Sequence, residues 1–144
     1  MENKNLDTTY NPQEFEKRLY NTWLEEGYFT PKVDHTKKPY TIMMPPPNIT
    51  GKLHMGHALD LTLQDMLIRY KRMQGFEALW LPGEDHASIA TEVRVESELL
   101  KQGLHKKEMG REAFLEKVYD WSEEYREKIR YQVKKLGSSC DFTR

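Results

Sequence analysis

Apolar residues recur every three or four positions along four stretches of the chain, the spacing expected of helices with one buried face. The predicted helices span roughly 12–26, 56–74, 86–102 and 111–136. Asn11 before Pro12 starts the first, Asp85 is the N-cap of the third, and a glycine follows each predicted end. The second helix carries Leu59, Leu63, Met66, Leu67 and Tyr70 on one face. The fourth carries Phe114, Val118, Trp121, Tyr125, Ile129 and Val133.

Two short runs are almost continuously apolar and bounded by proline, as parallel strands buried on both faces are. They cover 39–45 and 76–82, and a weaker candidate covers 138–144. Because a helix separates the first two runs, the order predicts a right-handed β–α–β unit. A linker over 29–38 leads into the first strand. The predicted fold class is therefore α/β with a parallel sheet.

Composition excludes several classes of protein. The 144 residues include 22 Lys+Arg and 23 Asp+Glu, a formal net charge of −1, so the chain has no overall basic footprint for nucleic acid. Cys140 is the only cysteine, which excludes an internal disulfide and fits a reducing compartment. The first residues contain no apolar signal segment, and no run approaches the length of a membrane span. We therefore expect a cytoplasmic protein.

The chemistry is concentrated at 45–57, where the sequence reads PPPNITGKLHMGH. Ligands of open α/β sheets bind beyond the carboxyl ends of the strands, and this segment directly follows the first predicted strand. His54 and His57 stand at the start of the second helix, where free N–H groups attract anions and the imidazoles can hydrogen-bond phosphate oxygens. Gly56 leaves the backbone open to a flat base. The segment therefore predicts a nucleotide site.

The residues by themselves leave other interpretations open. Histidine pairs at helix starts are common without a function, and a metal site of His54, His57 and His86 would lack a cysteine or a further ligand pattern. A proline triplet is often only a rigid connector. Asp85 fits a simple helix N-cap as well as a ligand-binding carboxylate. The sequence excludes a phosphate loop and the three-glycine dinucleotide fingerprint.

His54-Met55-Gly56-His57 resembles the His-Ile-Gly-His signature of the class I aminoacyl-tRNA synthetases. The preceding PPPNITG, and LWLPGEDHASIATEVRVE at 79–96, resemble the valine-specific branch of that family rather than its isoleucine, leucine or methionine branches. MGREAFLEK and KLGSSCDFTR resemble further segments of the same branch. The resemblance runs from about Pro12 to Arg144 and is most specific in the first two places.

The resemblance implies a ligase that activates valine with ATP to valyl-adenylate and transfers it to tRNA(Val), with Mg²⁺ on the ATP phosphates. It implies that His54 and His57 contact those phosphates and stabilise the transition state of adenylate formation. Gly56 would lie against the adenine, and Asn48 would help to order the nucleotide side.

The amino-acid side follows from the same resemblance. Pro45 and Pro46 would line the small aliphatic side-chain pocket, and Asp85 would accept the ammonium group of valine. A carboxylate beside an amine is a charge-assisted pair, so the physical chemistry agrees with this role. No residue is implied as a metal ligand.

The resemblance also implies how the chain is organised. Residues 1–38 would form an N-terminal helix and linker, and 39–144 the first half of a Rossmann-like catalytic domain, truncated before an editing insertion. The Lys-Met-Ser-Lys-Ser loop, the editing domain and the anticodon-binding domain are not in the sequence. We therefore expect weak binding of ATP or adenylate by the isolated chain, and self-association through an exposed sheet edge.

Two residues depart from the family pattern, and two other functions stay open. Glu84 stands where threonine is usual and Ser88 where glycine is usual, so we expect a changed affinity for the amino acid. One alternative is another nucleotidyltransferase with a His-x-Gly-His turn, and the other is a non-catalytic binding module. The bases late in the fourth helix fit a solvated helix end or a tRNA phosphate track; they are Arg126, Lys128, Arg130, Lys134 and Lys135.

Overall fold

The computed structural model describes residues 8–144, so the start of the predicted 1–38 appendage lies outside the described residues. The elements are α1 (Pro12–Glu25), β1 (Pro39–Met43), α2 (Met55–Met73), β2 (Glu77–Leu81), α3 (Ser88–Lys101), α4 (Lys106–Met109) and α5 (Arg111–Lys135). The α/β class and the four long helices are confirmed, and the one-turn α4 was not predicted. Across residues 8–144, no helix combines the length and apolar character needed to cross a membrane.

β1 and β2 form a parallel two-stranded sheet in which Thr41 lies opposite Leu79. The predicted β–α–β unit is therefore present. Ala78 and Trp80 of β2 are buried, but Met43 of β1 is 74% exposed. The prediction of two fully buried strands was wrong: β1 alternates between exposed and half-buried residues and β2 between half-buried and buried ones. Self-association through the sheet edge stays a prediction.

The segment 138–144 is not a strand, contrary to the weaker sequence candidate. Its backbone meets β2 at one point, where the Asp141 N–H donates to the Trp80 carbonyl at 2.9 Å. The Ser139 N–H donates instead to Asp65 Oδ1 at 2.9 Å, and the Ser139 carbonyl accepts from Arg72 at 2.8 Å. Side chains of α2 thus use the backbone groups that a ladder would need, and Cys140 beside them is fully buried.

The main core lies between the sheet, α2 and α5. Trp80 is fully buried there, and its indole N–H donates to Gln64 Oε1 at 2.9 Å. Its buried neighbours are Met44, Ile49, Leu61, Ile68, Ala78, Ile129, Val133 and Cys140. A second cluster of Val95, Leu99 and Phe114 joins α3 to α5. The apolar face predicted for the fourth helix is thus confirmed as the packing face of α5.

The apolar face predicted for the second helix lies at the surface instead. Leu59, Leu63 and Met66 of α2 are each more than half exposed, whereas Leu61 and Ile68 are buried. Two sides of α2 are apolar, and the sheet can cover only one of them. The seven-residue spacing of Leu61 and Ile68 places both on the sheet side.

α1 is attached to the core by aromatic and polar contacts. The Tyr20 hydroxyl donates to the Ser138 carbonyl at 2.8 Å. The Arg69 guanidinium lies 5.4 Å from the Trp23 ring centroid, and that of Arg72 lies 5.5 Å from the Phe29 ring centroid. The N-terminal helix therefore packs on α2 and on the segment that follows α5.

Candidate functional site

The loops that follow β1 and β2 run side by side, because the hydrogen-bond ladder continues beyond the two strands. The Asp85 N–H donates to the Pro47 carbonyl at 3.0 Å, and the Ile49 N–H donates to the Asp85 carbonyl at 3.0 Å. Prolines have no N–H to donate, so 45–47 can contribute only carbonyls to this ladder. The next ladder bond that the first loop donates comes from Ile49, and residues 45–48 lie opposite 83–85.

This ladder brings the residues predicted to hold an amino acid close to Asn48, which is predicted for the nucleotide side. Pro45, Pro46, Asn48 and Asp85 all lie on the two paired loops, and all are open to solvent. Asn48 and Asp85 are direct partners in an isolated parallel bridge. A side chain added at Gly83 would meet Pro46 Cβ at 3.6 Å, so the two loops are in van der Waals range. They line the carboxyl end of the sheet, the edge at which open α/β folds bind ligands, and this edge is called the crevice below.

Asp85 is not the N-cap of the third helix, so that prediction was wrong. α3 begins at Ser88, and its N-cap is Ala87 in the left-handed region with φ 46°. Asp85 Oδ1 accepts from the Ala87 N–H at 2.9 Å, which orders the loop before the helix. Within residues 8–144 Asp85 Oδ2 has no hydrogen-bond partner, so one carboxylate oxygen is directed to solvent at the crevice.

The two histidines form a reciprocal cap at the start of α2. His54 Nδ1 accepts from the Gly56 N–H at 3.1 Å, and His57 Nδ1 accepts from the His54 N–H at 3.2 Å. The ring centroids are 4.0 Å apart. Because each Nδ1 accepts, each neutral ring carries its proton on Nε2. The turn therefore presents two Nε2–H donors at a helix N-terminus, an arrangement suited to phosphate oxygens.

The neutral form of His57 is favoured by its surroundings. Desolvation by burial lowers the pKa of His57 below its ordinary value of 6.5, and the neighbouring His54 lowers it further, whereas Asp60 opposes the shift. Protonation would also turn Nδ1 from an acceptor into a donor and break the cap. His57 thus acts at neutral pH as a hydrogen-bond donor rather than as a fixed positive charge.

Gly56 leaves open the space next to which the His54 ring packs. A Cβ at this position would lie 3.0 Å from His54 Cε1 and 3.1 Å from His54 Nδ1, closer than ordinary van der Waals contact. The imidazole of His54 folds back over the first turn of α2 to make its cap. A side chain at Gly56 would push that ring away from the crevice.

α5 holds the first loop from behind through residues that sequence reasoning missed. The Trp121 indole N–H donates to the Ile49 carbonyl at 3.1 Å. Gln132 Oε1 accepts from the Leu53 N–H at 2.9 Å, and its amide donates back to the Leu53 carbonyl at 3.4 Å. Leu53 directly precedes His54, so Gln132 fixes the approach to the histidine turn. The long apolar stripe of α5 was recognised, but no local signal marked these polar contacts.

Four of the five bases late in α5 are engaged by acids rather than arranged as a phosphate track, and Lys134 instead lies 5.2 Å from the Phe142 ring centroid. Lys135 lies 2.7 Å from Glu16 of α1, and Lys128 pairs with Glu124 one turn earlier. Arg126 and Arg130 are held in the same way, through contacts described below. These contacts favour the interpretation of a solvated helix end over contact with tRNA.

No group of three or more His, Cys, Asp or Glu side chains in residues 8–144 could hold a metal ion. His86, the third histidine of the conceivable metal site, lies with its Nε2 3.3 Å from an Arg126 nitrogen. A guanidinium beside the imidazole disfavours a cation there. The structure therefore does not bring His54, His57 and His86 together as ligands.

A separate groove lies between α1 and the end of α5. Tyr10, Leu19, Trp23, Tyr131 and Lys134 are among its lining residues. None of the predicted site residues lines it. Its lining is largely apolar and aromatic, and the Lys135–Glu16 ion pair lies at its edge, so it offers packing area.

Known proteins resemble this chain in sequence over nearly its whole length. A sequence model of the tRNA synthetases class I (I, L, M and V) matches residues 18–144. A valine–tRNA ligase of Clostridium perfringens is 75% identical over 144 residues, 100% of this chain and 16% of that protein. The Enterococcus faecalis valine–tRNA ligase is 54% identical over 143 residues, 99% of this chain and 16% of that protein. The chain thus spans about a sixth of the length of these curated relatives.

A solved structure supports the fold independently. The leucyl enzyme in a ternary complex, LeuRS-tRNA-LeuAMS from Agrobacterium radiobacter K84, superposes with a TM-score of 0.68 at 17% sequence identity. The match covers 92% of this chain and 15% of that one. At this identity the likeness establishes the fold, which agrees with the parallel sheet and the helix order described above.

Replacing Gly56 with alanine should displace the His54 ring without unfolding the chain. Alanine is favoured over glycine in helices by about 1 kcal/mol, which should offset much of the steric cost. We expect a clear shift of the His54 imidazole resonances in NMR spectra and an unfolding free energy within about 1 kcal/mol of the parent. Gly51→Ala is the matched control, because a Cβ at Gly51 meets no atom within 4 Å. Unchanged His54 resonances in the Gly56 variant would contradict the described packing.

The lowered pKa of His57 predicts a loss of stability in acid. Below its ordinary pKa of 6.5, the unfolded chain takes up a proton at this ring that the folded chain resists, so stability falls as the pH drops. His57→Gln should flatten that part of the pH dependence in urea unfolding, and His35→Gln, at an exposed linker position, should not. An equally steep loss in the His57 variant would show that another group is responsible.

Proposed function

The chain belongs to the class I tRNA synthetases (I, L, M and V), and we propose that it forms the first part of the catalytic domain of a valine–tRNA ligase. The proposed reaction joins valine to ATP, giving valyl-adenylate and pyrophosphate, and then transfers valine to tRNA(Val). We propose valine as the amino acid because the two relatives described above are both valine–tRNA ligases. Because the chain belongs to this family, the alternative of a different nucleotidyltransferase with a His-x-Gly-His turn has no support.

The observation that carries the proposal is the ladder between the two crevice loops. It sets the prolines and Asp85 at the end of the same sheet from which the histidine turn starts. An amino acid on the loops and a nucleotide on the turn would then meet in one crevice. Bringing two reactants together in this way can supply about 7–11 kcal/mol of a reaction barrier.

Each side of the crevice has a role in this proposal. The free Oδ2 of Asp85 accepts the ammonium of valine, while Pro45 and Pro46 bound its short side chain. The rigid prolines lose little entropy on binding and present apolar surface. Asn48, which pairs with Asp85 in the bridge between the loops, would help to order the nucleotide. The valine carboxylate is thereby directed towards the α-phosphorus of ATP.

The histidine turn would stabilise the reaction at the phosphates. As the carboxylate oxygen bonds to the α-phosphorus and pyrophosphate leaves, negative charge grows on the phosphate oxygens. The Nε2–H groups of His54 and His57 donate to those oxygens, and Gly56 leaves room for the adenine. Mg²⁺ would enter with ATP and neutralise phosphate charge, since the described residues offer no metal cluster of their own.

The division of the chain belongs to the same proposal. Residues 1–38 would be an N-terminal helix and linker, and 39–144 the first half of the catalytic domain. The complete reaction then needs further residues that the longer relatives possess. The proposed setting is the cytoplasm, where valine, ATP and tRNA(Val) are available.

A chimera tests the proposal directly. The matching segment of the Clostridium perfringens valine–tRNA ligase, 75% identical, is replaced by this chain, and ATP–pyrophosphate exchange is measured with valine, isoleucine and threonine. We expect valine-dependent exchange. His57→Ala should lower kcat by about 10²–10³, the usual cost of removing one transition-state donor.

His35→Ala, in the linker, is the control variant and should leave the exchange rate unchanged. A folded chimera without valine-dependent exchange would contradict the proposal. So would full activity in the His57 variant.

A further inference from the structure

Glu84 is the residue at which this chain departs from the family pattern directly beside the proposed ammonium ligand. It lies in the loop 82–87, one position before Asp85. Its side chain is only 18% exposed, although it is charged and lies in a loop. A carboxylate so far removed from water needs partners, and α5 supplies them.

Two arginines of α5 hold the Glu84 carboxylate, one at each oxygen. Arg126 Nε donates to Oε2 at 3.1 Å, and Arg130 Nε donates to Oε1 at 3.0 Å. The two arginines are four residues apart and lie on the same side of the helix. Both bonds are charge-assisted, and together they fix the position and the orientation of the carboxylate.

This clamp, formed by Glu84, Arg126 and Arg130, adds a side-chain attachment to a loop whose ladder bonds run through the backbone of Asp85. Gly83 precedes Glu84, and the strained Ala87 at φ 46° ends the loop. On an extended backbone successive side chains point to opposite sides, so Glu84 held against α5 sends Asp85 the other way, towards the crevice. The exposure of Asp85 and the burial of Glu84 agree with this alternation.

The two ion pairs also neutralise the charge of Glu84 beside Asp85. An unpaired Glu84 would add a second negative charge beside Asp85, and two unpaired arginines would repel the ammonium of a substrate. Paired with each other, these groups leave Asp85 as the carboxylate facing the crevice. Arg126 and Arg130 each keep a second, exposed acid on the helix, Glu123 and Glu127.

We propose that Glu84, clamped by Arg126 and Arg130, is a positioning residue that holds Asp85 in place and so sets the affinity of the crevice for the ammonium group of the amino acid. This inference rests on the proposed function. Glu84 touches no substrate in this account, so its effect should appear in the KM for valine rather than in the KM for ATP.

The chimera described above provides the test, with steady-state exchange measured separately against valine and ATP. Glu84→Gln keeps the shape of the side chain but loses its charge. We expect its KM for valine to rise about tenfold, the usual scale for losing a hydrogen bond to a charged group, with the KM for ATP within about twofold. Arg126→Gln combined with Arg130→Gln should raise the KM for valine in the same way.

Coupling between the three residues is the second readout. If Glu84 acts through the arginines, the triple variant should have a KM for valine no higher than that of Glu84→Gln alone. Glu127→Gln is the matched control, since it removes an acid from Arg130 on the exposed side and leaves the loop contact intact. It should change neither KM by more than about twofold.

Several results would overturn the inference. An unchanged KM for valine in Glu84→Gln would do so, and so would equal rises for valine and ATP, or a lower kcat alone, as a merely structural role would give. If Glu84→Gln does not fold, Arg130→Lys replaces it, keeping the charge but not the Nε bond, with the same expected rise in the KM for valine. An inactive unsubstituted chimera would instead count against the proposed function, so the two failures are distinguishable.

Discussion

The hydrogen bonds that carry the ladder past the ends of β1 and β2 are the constraint on which the site depends. Three consecutive prolines remove the N–H donors of 45–47, so this loop contributes the Pro47 carbonyl and the Ile49 amide to the pairing. Asp85 satisfies both with its own backbone groups. These two hydrogen bonds therefore decide whether the loop with the prolines and the loop with the carboxylate lie side by side.

α5 turns this local pairing into a stable arrangement. Its Trp121 holds the carbonyl of Ile49, its Gln132 holds Leu53 before the histidine turn, and its arginines hold Glu84. One helix thus touches each of the three segments that form the crevice. Because its apolar side is buried in both core clusters, α5 is a rigid support for groups that are themselves exposed. Exposed site residues on a buried support can meet a ligand without losing their positions.

The sequence was sufficient for the elements with strong periodicity and clear boundaries. The stripe of α5 predicted its packing face, and the proline-bounded runs predicted a parallel pair of strands. It failed where tertiary contacts override local pattern. Ser139 gives its backbone groups to Asp65 and Arg72, so 138–144 does not pair as a strand. α2 has two apolar sides, and periodicity could not tell which of them the sheet covers.

In the site, too, local motifs could be predicted from the sequence, whereas contacts between distant segments could not. The histidine turn and the prolines are contiguous in the chain, so a motif could identify them, and Asp85 followed from the family resemblance. The ladder from Asp85 to Pro47 joins segments far apart in sequence, and only the structure shows it. From the sequence alone, the arginines of α5 fit a solvated helix end or a phosphate track. Their opposite charge to Glu84 was visible in the sequence, but their distance from it was not.

Amide hydrogen exchange at Ile49 and Asp85 measures the central constraint most directly. If the ladder holds the two loops together, both amides should be protected to a degree similar to the amides that join β1 to β2. Exchange of Ile49 and Asp85 at the rate of an unstructured loop, with the strands still protected, would contradict the account, because the crevice would then not be formed by this chain.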